Sequence, residues 1–195
     1  MENLLHFYMT RLGLSREEAM LHTVKFERIE IPKKTVILKS GETENHLYFI
    51  TEGIIRFFMH KTYPTEPPKE VTFSFITKNM FYSAYDSFIT RSPCQYNVET
   101  LQKTVVYRIH HSDVHDLYEN TKAGNYVGRI SAEQLYLRKA QREISLLTEN
   151  AEERYLKLMK SYPEYILQIP LKYIASYLGI TPQALSRIRK TNFLT

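Results

Sequence analysis

The stretch LKYIASYLGITPQALSRIRK, Leu171 to Lys190, reads as two short helices joined by a tight turn. Ile174 and Leu178 put an apolar stripe on the first helix at i, i+4, and Leu185 and Ile188 put one on the second at i, i+3. Ile180 plugs the turn between them, and Ala175 supplies a small side chain where the helices cross. Gly179 stands where the first helix must stop, in a left-handed conformation that glycine adopts cheaply. Thr181 is then a hydroxyl N-cap and Pro182 a first-turn proline, so the second helix has an encoded start. Its free face carries Gln183, Ser186, Arg187 and Lys190. Such a face suits a DNA major groove, where Gln pairs bidentately with adenine and Arg with guanine. The alternative is a helical hairpin whose polar face is merely solvated. Against it, Leu171 to Thr195 holds four basic residues (Lys172, Arg187, Arg189, Lys190) and no Asp or Glu, whereas a solvated face mixes signs.

The 195 residues admit one large domain or a larger and a smaller one, and a hydrophobic content of 43% is enough for a core. The net charge of +5 favours a polyanionic partner. No apolar run approaches the ~20 residues that span a bilayer. The N-terminal MENLLHFYMTRLG lacks both a cationic n-region and a small-residue cleavage site, so the expected location is cytoplasmic, with no membrane partner. A single cysteine, Cys94, excludes an internal disulfide and, within one subunit, a cysteine-ligated zinc or iron–sulfur centre.

Ser15-Arg16-Glu17-Glu18 is a capping box that opens a short helix to about His22. The pattern then becomes strand-like. Val24–Ile31, Thr35–Lys39, His46–Ile50, Ile54–His60, Glu70–Ile76, Tyr96–Leu101 and Val105–His110 are short, rich in β-branched and aromatic residues, and separated by turn signals such as Ser40-Gly41 and Glu52-Gly53. Lys61–Lys69, with three prolines, reads as an exposed hairpin loop. Strands at this spacing indicate an antiparallel sandwich or barrel. From Ser112, a potential cap for a helix through Leu117, the period is helical again. A long helix spans Ala123 to Leu147. Val127, Ile130, Gln134, Leu137, Gln141 and Ile144 form an a/d-like seam on it, which fits either a second subunit or one wide core-facing stripe. Asn150-Ala151-Glu152-Glu153 is a second capping box, and Pro163 closes its helix.

The order β-barrel, long helix, helix-turn-helix, together with Ile37-Leu38-Lys39-Ser40-Gly41-Glu42 and Leu47-Tyr48-Phe49-Ile50-Thr51-Glu52-Gly53, resembles the Crp/Fnr family of bacterial transcriptional regulators. The resemblance implies an α+β protein with an antiparallel β jelly-roll of cupin-like, cyclic-nucleotide-binding-like type in residues 1–120. It further implies a long dimerisation helix in residues 121–148 and a small helix-turn-helix domain in residues 149–195. It also implies a homodimer that binds operator DNA and activates or represses transcription, which admits RNA polymerase as a further partner. Family members that bind cyclic AMP carry a Gly-Glu pair followed by an Arg-Ser pair. Laid on this chain without gaps, those pairs fall on Ser83-Ala84 and Cys94-Gln95, so both the ribose acceptor and the phosphate cation are missing. A shifted register that recruits Arg91-Ser92 still leaves no carboxylate at the first pair. The expectation is an effector other than cyclic AMP. Only five residues follow Lys190, too few for the β-hairpin wing usual in the family, so a wingless reader is expected.

By matching positions, Gln183 and Arg187 read base edges and Lys190 touches phosphate or a flanking base. Thr181 and Ser186 bond phosphate at the helix N-terminus, and Arg189 and Lys172 are accessory phosphate contacts. Tyr82, Ser83, Ala84, Tyr85, Arg91, Cys94, Gln95, Tyr96 and Asn97 are candidates to line an effector pocket, with a filled core as the alternative. No catalytic residue, resident metal or cofactor is assigned. Two rival readings stand. A cupin-like metal-dependent enzyme would use an H-x-H pair, but Tyr48 follows His46 at the second position. A haem- or redox-sensing regulator would use His110, His111 or His115 as axial ligand, or Cys94.

Overall fold

The structure, a computed structural model, describes residues 1–62, 64–65 and 67–193. The chain opens with helices α1 (Glu2–Arg11) and α2 (Arg16–Thr23). The capping box at α2 is complete: Ser15 Oγ accepts from the Glu18 amide at 3.3 Å, and the Glu18 carboxylate accepts from the Ser15 amide at 3.0 Å. Because α2 runs to Thr23, the first strand starts later than the sequence pattern indicates. Phe26 still donates its amide to the Thr23 carbonyl, and β1 covers Glu27–Ile31 rather than Val24–Ile31.

Among the described residues seven more strands follow: β2 (Val36–Leu38), β3 (His46–Glu52), β4 (Ile55–Lys61), β5 (Lys69–Ile76), β6 (Met80–Tyr82), β7 (Asn97–Thr100) and β8 (Thr104–His110). They form two four-stranded sheets of a jelly roll, in orders β1-β8-β3-β6 and β2-β7-β4-β5. The pairings β1–β8, β3–β8, β3–β6 and β2–β7 are all antiparallel. Of the expected loop Lys61–Lys69, the two end residues belong to strands, and Tyr63 and Glu66 lie outside the described residues.

Side chains alternate across β3, and this alternation builds two different cores. Phe49 packs with Tyr107 and Ile109 of β8 against α1 (Leu4, Leu5, Tyr8) and the later helices. Tyr48 faces the roll interior, where it stacks on Tyr82 with ring centroids 4.8 Å apart; Phe57 meets Tyr82 edge-on at 6.2 Å and lies 5.9 Å from Tyr96. On this inner face the aromatic rings thus pack against one another.

Helix α3 (Tyr85–Thr90) and strand β6 are too short for their periodicity to register in sequence. Helix α4 is His111–Asn120, and its cap is His110 rather than Ser112: the His110 ring nitrogen Nδ1 accepts from the Ser112 amide at 3.3 Å. The long helix α5 is Gly124–Thr148. Beyond it come α6 (Ala151–Ser161), α7 (Pro163–Gln168), α8 (Leu171–Leu178) and α9 (Pro182–Phe193). Pro163 ends α6 as expected but also starts α7, since a proline in a first turn lacks only an amide that would go unused there. Helix α9 runs through Phe193, and Leu194 and Thr195, which the sequence reading counted among the residues after Lys190, lie outside the described residues.

The chain divides into two compact units, one of Met1–Phe57 with Phe75–Leu135, the other of Phe58–Ser74 with Tyr136–Thr195. In the second unit Tyr155, Leu158, Tyr165, Ile169, Ile174, Ala175, Leu178 and Leu185 are buried. Also within it, Ser176 Oγ accepts from the Thr72 amide at 2.9 Å and donates to the Glu70 carbonyl at 3.2 Å, so a helix hydroxyl satisfies backbone groups of β5.

Gly53 joins β3 to β4 with φ of +93°, and a Cβ there would lie 2.7 Å from the Lys103 carbonyl oxygen and 2.8 Å from Thr104 Cα. Both neighbours are backbone and cannot swing aside. Gly53→Ala is expected to cost about 2–3 kcal/mol of stability. Urea unfolding checks this, and a midpoint equal to that of the unsubstituted protein would contradict it.

Candidate nucleic-acid interface and sensor cassette

The turn between α8 and α9 is built as its residues dictate. Gly179 is left-handed at φ 75°, and its amide donates to the Ala175 and Ser176 carbonyls. The Ile180 amide reaches back to the Ala175 carbonyl at 3.0 Å. Thr181 Oγ1 accepts from the Ala184 amide at 3.2 Å, which caps α9. Ile174, Ala175, Leu178 and Leu185 are fully buried between the helices. With that stripe fixed inward, the helical period turns the polar residues outward: Thr181, Gln183, Arg187 and Lys190 are exposed and Ser186 is half-buried.

The two accessory candidates stand differently. Lys172 is exposed with its Nζ 4.8 Å from the centroid of the Tyr173 ring. Arg189 is half-buried, and its charge and hydrogen-bonding capacity act on the Tyr155 hydroxyl.

Two arginines that the sequence did not single out hold this turn. Arg154 on α6 donates from Nε at 3.2 Å and Nη2 at 2.9 Å to the Leu178 carbonyl, and from Nη1 to the Glu149 carbonyl. Arg142 on α5 donates to the Tyr177 carbonyl and stacks 4.0 Å above the Tyr177 ring. Cations thus satisfy the last carbonyls of α8, where the helix dipole is negative. Their spacing to residues 177 and 178 follows no sequence period, so no local signal marks them.

In the first unit, β6, α3 and the loop to β7 carry the cassette residues. Ser83 Oγ donates to the His46 carbonyl at 2.9 Å, and Ala84 is buried at the N-cap of α3. Tyr85 is half-buried, with ring centroid 6.1 Å from that of Phe88. Arg91, left-handed at φ 58°, donates to the Glu44 carbonyl at 2.7 Å, to the Phe88 carbonyl at 3.2 Å, and to the Asn45 side chain. Buried Cys94 donates its thiol to the Tyr96 carbonyl at 3.2 Å, and burial pushes its pKa up. Gln95 is exposed, and the Tyr96 hydroxyl donates to Asp86. Asn97 accepts from the Ser40 amide at 3.1 Å. Tyr82, whose hydroxyl is buried without a hydrogen-bond partner, has its pKa raised well above the usual phenol value by burial.

Sequence reading missed the residue at the centre of this cluster. Glu44 is 3% exposed, and its carboxylate accepts from the His46 amide at 2.8 Å, with the Ala84 and Asn45 amides and the Tyr48 hydroxyl also turned toward it. Burial raises its pKa and these hydrogen bonds oppose the rise. An open cleft runs past Ile29, Val36, Leu38, Glu44, His46 and Arg108, and none of the cassette candidates lines it.

The histidines gather at one end of β3 and β8. The rings of His46 and His110 lie 5.4 Å apart, and those of His111 and His115 4.4 Å apart. Burial lowers the pKa of His46 and of His111. Among the described residues no group of three or more His, Cys, Asp and Glu side chains could hold a metal ion. Among the described residues no helix is long and apolar enough to cross a membrane. On α5, Val127 is buried in the first unit's core with Ile130 packed against it, whereas Gln134, Leu137, Gln141 and Ile144 are exposed.

Residues 28–121 match the cyclic nucleotide-binding domain family. Among solved structures, the chain is similar to the Thermus thermophilus catabolite activator protein at 20% identity and a TM-score of 0.56, covering 97% of this chain and 85% of that one. FixK2 from Bradyrhizobium japonicum superposes with a TM-score of 0.72 at 14% identity, over 85% of this chain and 83% of its own. A putative transcriptional regulator of the Crp/Fnr family from Eubacterium rectale gives 0.69 at 13% identity, over 97% and 88%. No curated protein matches the sequence. Residues 28–121 are thus a cyclic nucleotide-binding-type domain, in a chain with the fold of Crp/Fnr-type transcriptional regulators.

Proposed function

We propose that this chain is a sequence-specific DNA-binding transcriptional regulator and not an enzyme, working as a homodimer in the bacterial cytoplasm. The proposed division of labour is a sensor domain in residues 1–120, a dimerisation helix in 121–148 and a reader in 149–195. The observation that carries the reading is the outer face of α9: exposed Gln183, Arg187 and Lys190 on a helix pinned by a buried stripe, in a segment without a carboxylate. Gln183 and Arg187 read base edges, Lys190 meets phosphate, and Thr181 and Ser186 bond phosphate beside the helix N-terminus. Lys172 is an accessory contact; Arg189 has the weaker case because it faces Tyr155. RNA polymerase would be a further partner of the bound dimer.

The effector is one other than cyclic AMP. Arg91 is the arginine nearest the cassette's cation position, and its guanidinium is engaged by two carbonyls and Asn45. The Ala84 amide at the head of α3 faces the chain's own Glu44 carboxylate. A cyclic phosphate entering there would meet a negative charge, with Arg91 already engaged by its own chain.

Two measurements follow. A duplex enriched from a randomised pool is compared with a scrambled duplex. Arg187→Ala should lose about 1–3 kcal/mol on the enriched duplex and little on the scrambled one, while Lys190→Ala weakens both alike. Absence of any enrichment, or equal losses for Arg187→Ala on the two duplexes, would refute the base-reading role. Calorimetric titration with cyclic AMP should give no binding at micromolar concentrations, and a micromolar Kd would overturn the effector argument.

A further inference from the structure

Only Glu149 and Asn150 separate α5, which ends at Thr148, from α6, which starts at Ala151. A short corner between helices is a natural place for a flexible joint, yet here all four backbone polar groups of the corner are engaged. The Glu149 amide still donates to the Ser145 carbonyl at 3.1 Å, and the Glu149 carbonyl is taken by Arg154 Nη1. The Asn150 amide donates to the Glu153 carboxylate at 2.8 Å, and its carbonyl accepts from the Arg154 amide at 3.1 Å. Side chains reinforce both residues. The Glu149 carboxylate accepts from the Ser145 hydroxyl at 2.8 Å and pairs with Lys157, while Asn150 Oδ1 accepts from the Glu152 and Glu153 amides, each at 3.0 Å. Arg154 also reaches the other way, from Nε at 3.2 Å and Nη2 at 2.9 Å, to the Leu178 carbonyl. One guanidinium thus bridges the C-terminal ends of α5 and α8, two negative dipole ends that would repel each other without it. Arg142, in the last two turns of α5, adds a second tie through the Tyr177 carbonyl and ring. Tyr136–Thr195 belong to one compact unit, so both ties lie inside it.

We propose that Arg142 and Arg154 are positioning residues for DNA reading: they make the α5–α6 corner a rigid bracket that holds the end of α8, and through Gly179 the start of α9, at a fixed angle to the last turns of α5. This rests on the DNA-reading proposal above and adds what aims its helix. The boundary between residues 148 and 149 is then one of role, with no joint there. The chemistry calls for arginine at both positions. Arg154 serves two carbonyls on different sides of one planar fork, and Arg142 combines a hydrogen bond with a stack on an aromatic face. A lysine ammonium keeps the charge but offers a single nitrogen and no plane, so it holds one carbonyl at a time. Arginine-to-lysine changes therefore loosen the bracket and leave the attraction to DNA phosphates as it was.

The test has two arms, both on the full chain, with circular dichroism to confirm that helix content is retained. The first is amide hydrogen exchange without DNA. In the unsubstituted protein the Glu149, Asn150, Glu152 and Glu153 amides should exchange at least about a hundredfold more slowly than in an unstructured peptide. Arg154→Lys should speed exchange at these amides by about tenfold, the lower range for losing a charged hydrogen bond. Near-unstructured rates in the unsubstituted protein would show a flexible joint and overturn the bracket, whether or not any variant folds. The second arm measures Kd on the enriched and the scrambled duplex. Arg142→Lys and Arg154→Lys should each weaken the enriched duplex by about fivefold or more, the scale of one misaligned base contact, and leave the scrambled duplex within about twofold. Equal losses on both duplexes indicate a weakened fold, and no loss on either indicates idle arginines; each result overturns the positioning role and leaves DNA reading standing. Failure to enrich any duplex overturns DNA reading and the positioning role with it, while the exchange arm still decides the bracket.

Discussion

The last carbonyls of α8 must be satisfied before α9 can be presented, and two guanidinium groups do this. A helix ends with acceptors that have no partner inside it, and the left-handed Gly179 answers only some of them. Arg154 closes on the Leu178 carbonyl with two nitrogens, while Arg142 closes on Tyr177 and lies flat on its ring. A hydrogen bond from a charged donor is worth about 1.5–3 kcal/mol, more than a neutral one. Burial lowers the pKa of Arg142, the mark of a cation held away from water. Neither arginine belongs to the exposed face of α9, yet together they fix the turn that aims it.

The same economy of partners governs the segment from β6 through α3 to β7. In sequence Arg91 reaches the cassette's cation position only through a shifted register, and in the structure its guanidinium directs three contacts at its own chain. Glu44 makes the matching use of acceptors, taking backbone amides of its own chain. Beside them Tyr48 stacks on Tyr82, and Phe57 meets Tyr82 edge-on and lies near Tyr96. The loop is therefore held by internal contacts of its own, whatever ligand the domain serves.

Much of the architecture was legible because it depends on residues three or four apart. Both capping boxes, Ser15 with Glu18 and Asn150 with Glu153, formed as their spacing required. So did the stripe Ile174, Leu178 and Leu185, the turn at Gly179 and the hydroxyl cap at Thr181. The strands were readable within a residue or two, apart from β1, where a one-turn competition with α2 moved the boundary. What escaped were elements shorter than one period, β6 and α3, and a proline that could equally end one helix or begin the next.

The sequence by itself determined the order of elements and the outward basic face of α9, because each follows from short-range sterics and periodic burial. Only the tertiary structure decided that Arg154 and Arg142 serve the end of α8, that Glu44 sits among the cassette amides, and that Val127 lies in a core while Leu137 does not. Those facts join residues dozens of positions apart. Buried polar atoms must find partners wherever the fold brings them, and no spacing along the chain encodes which partner that will be.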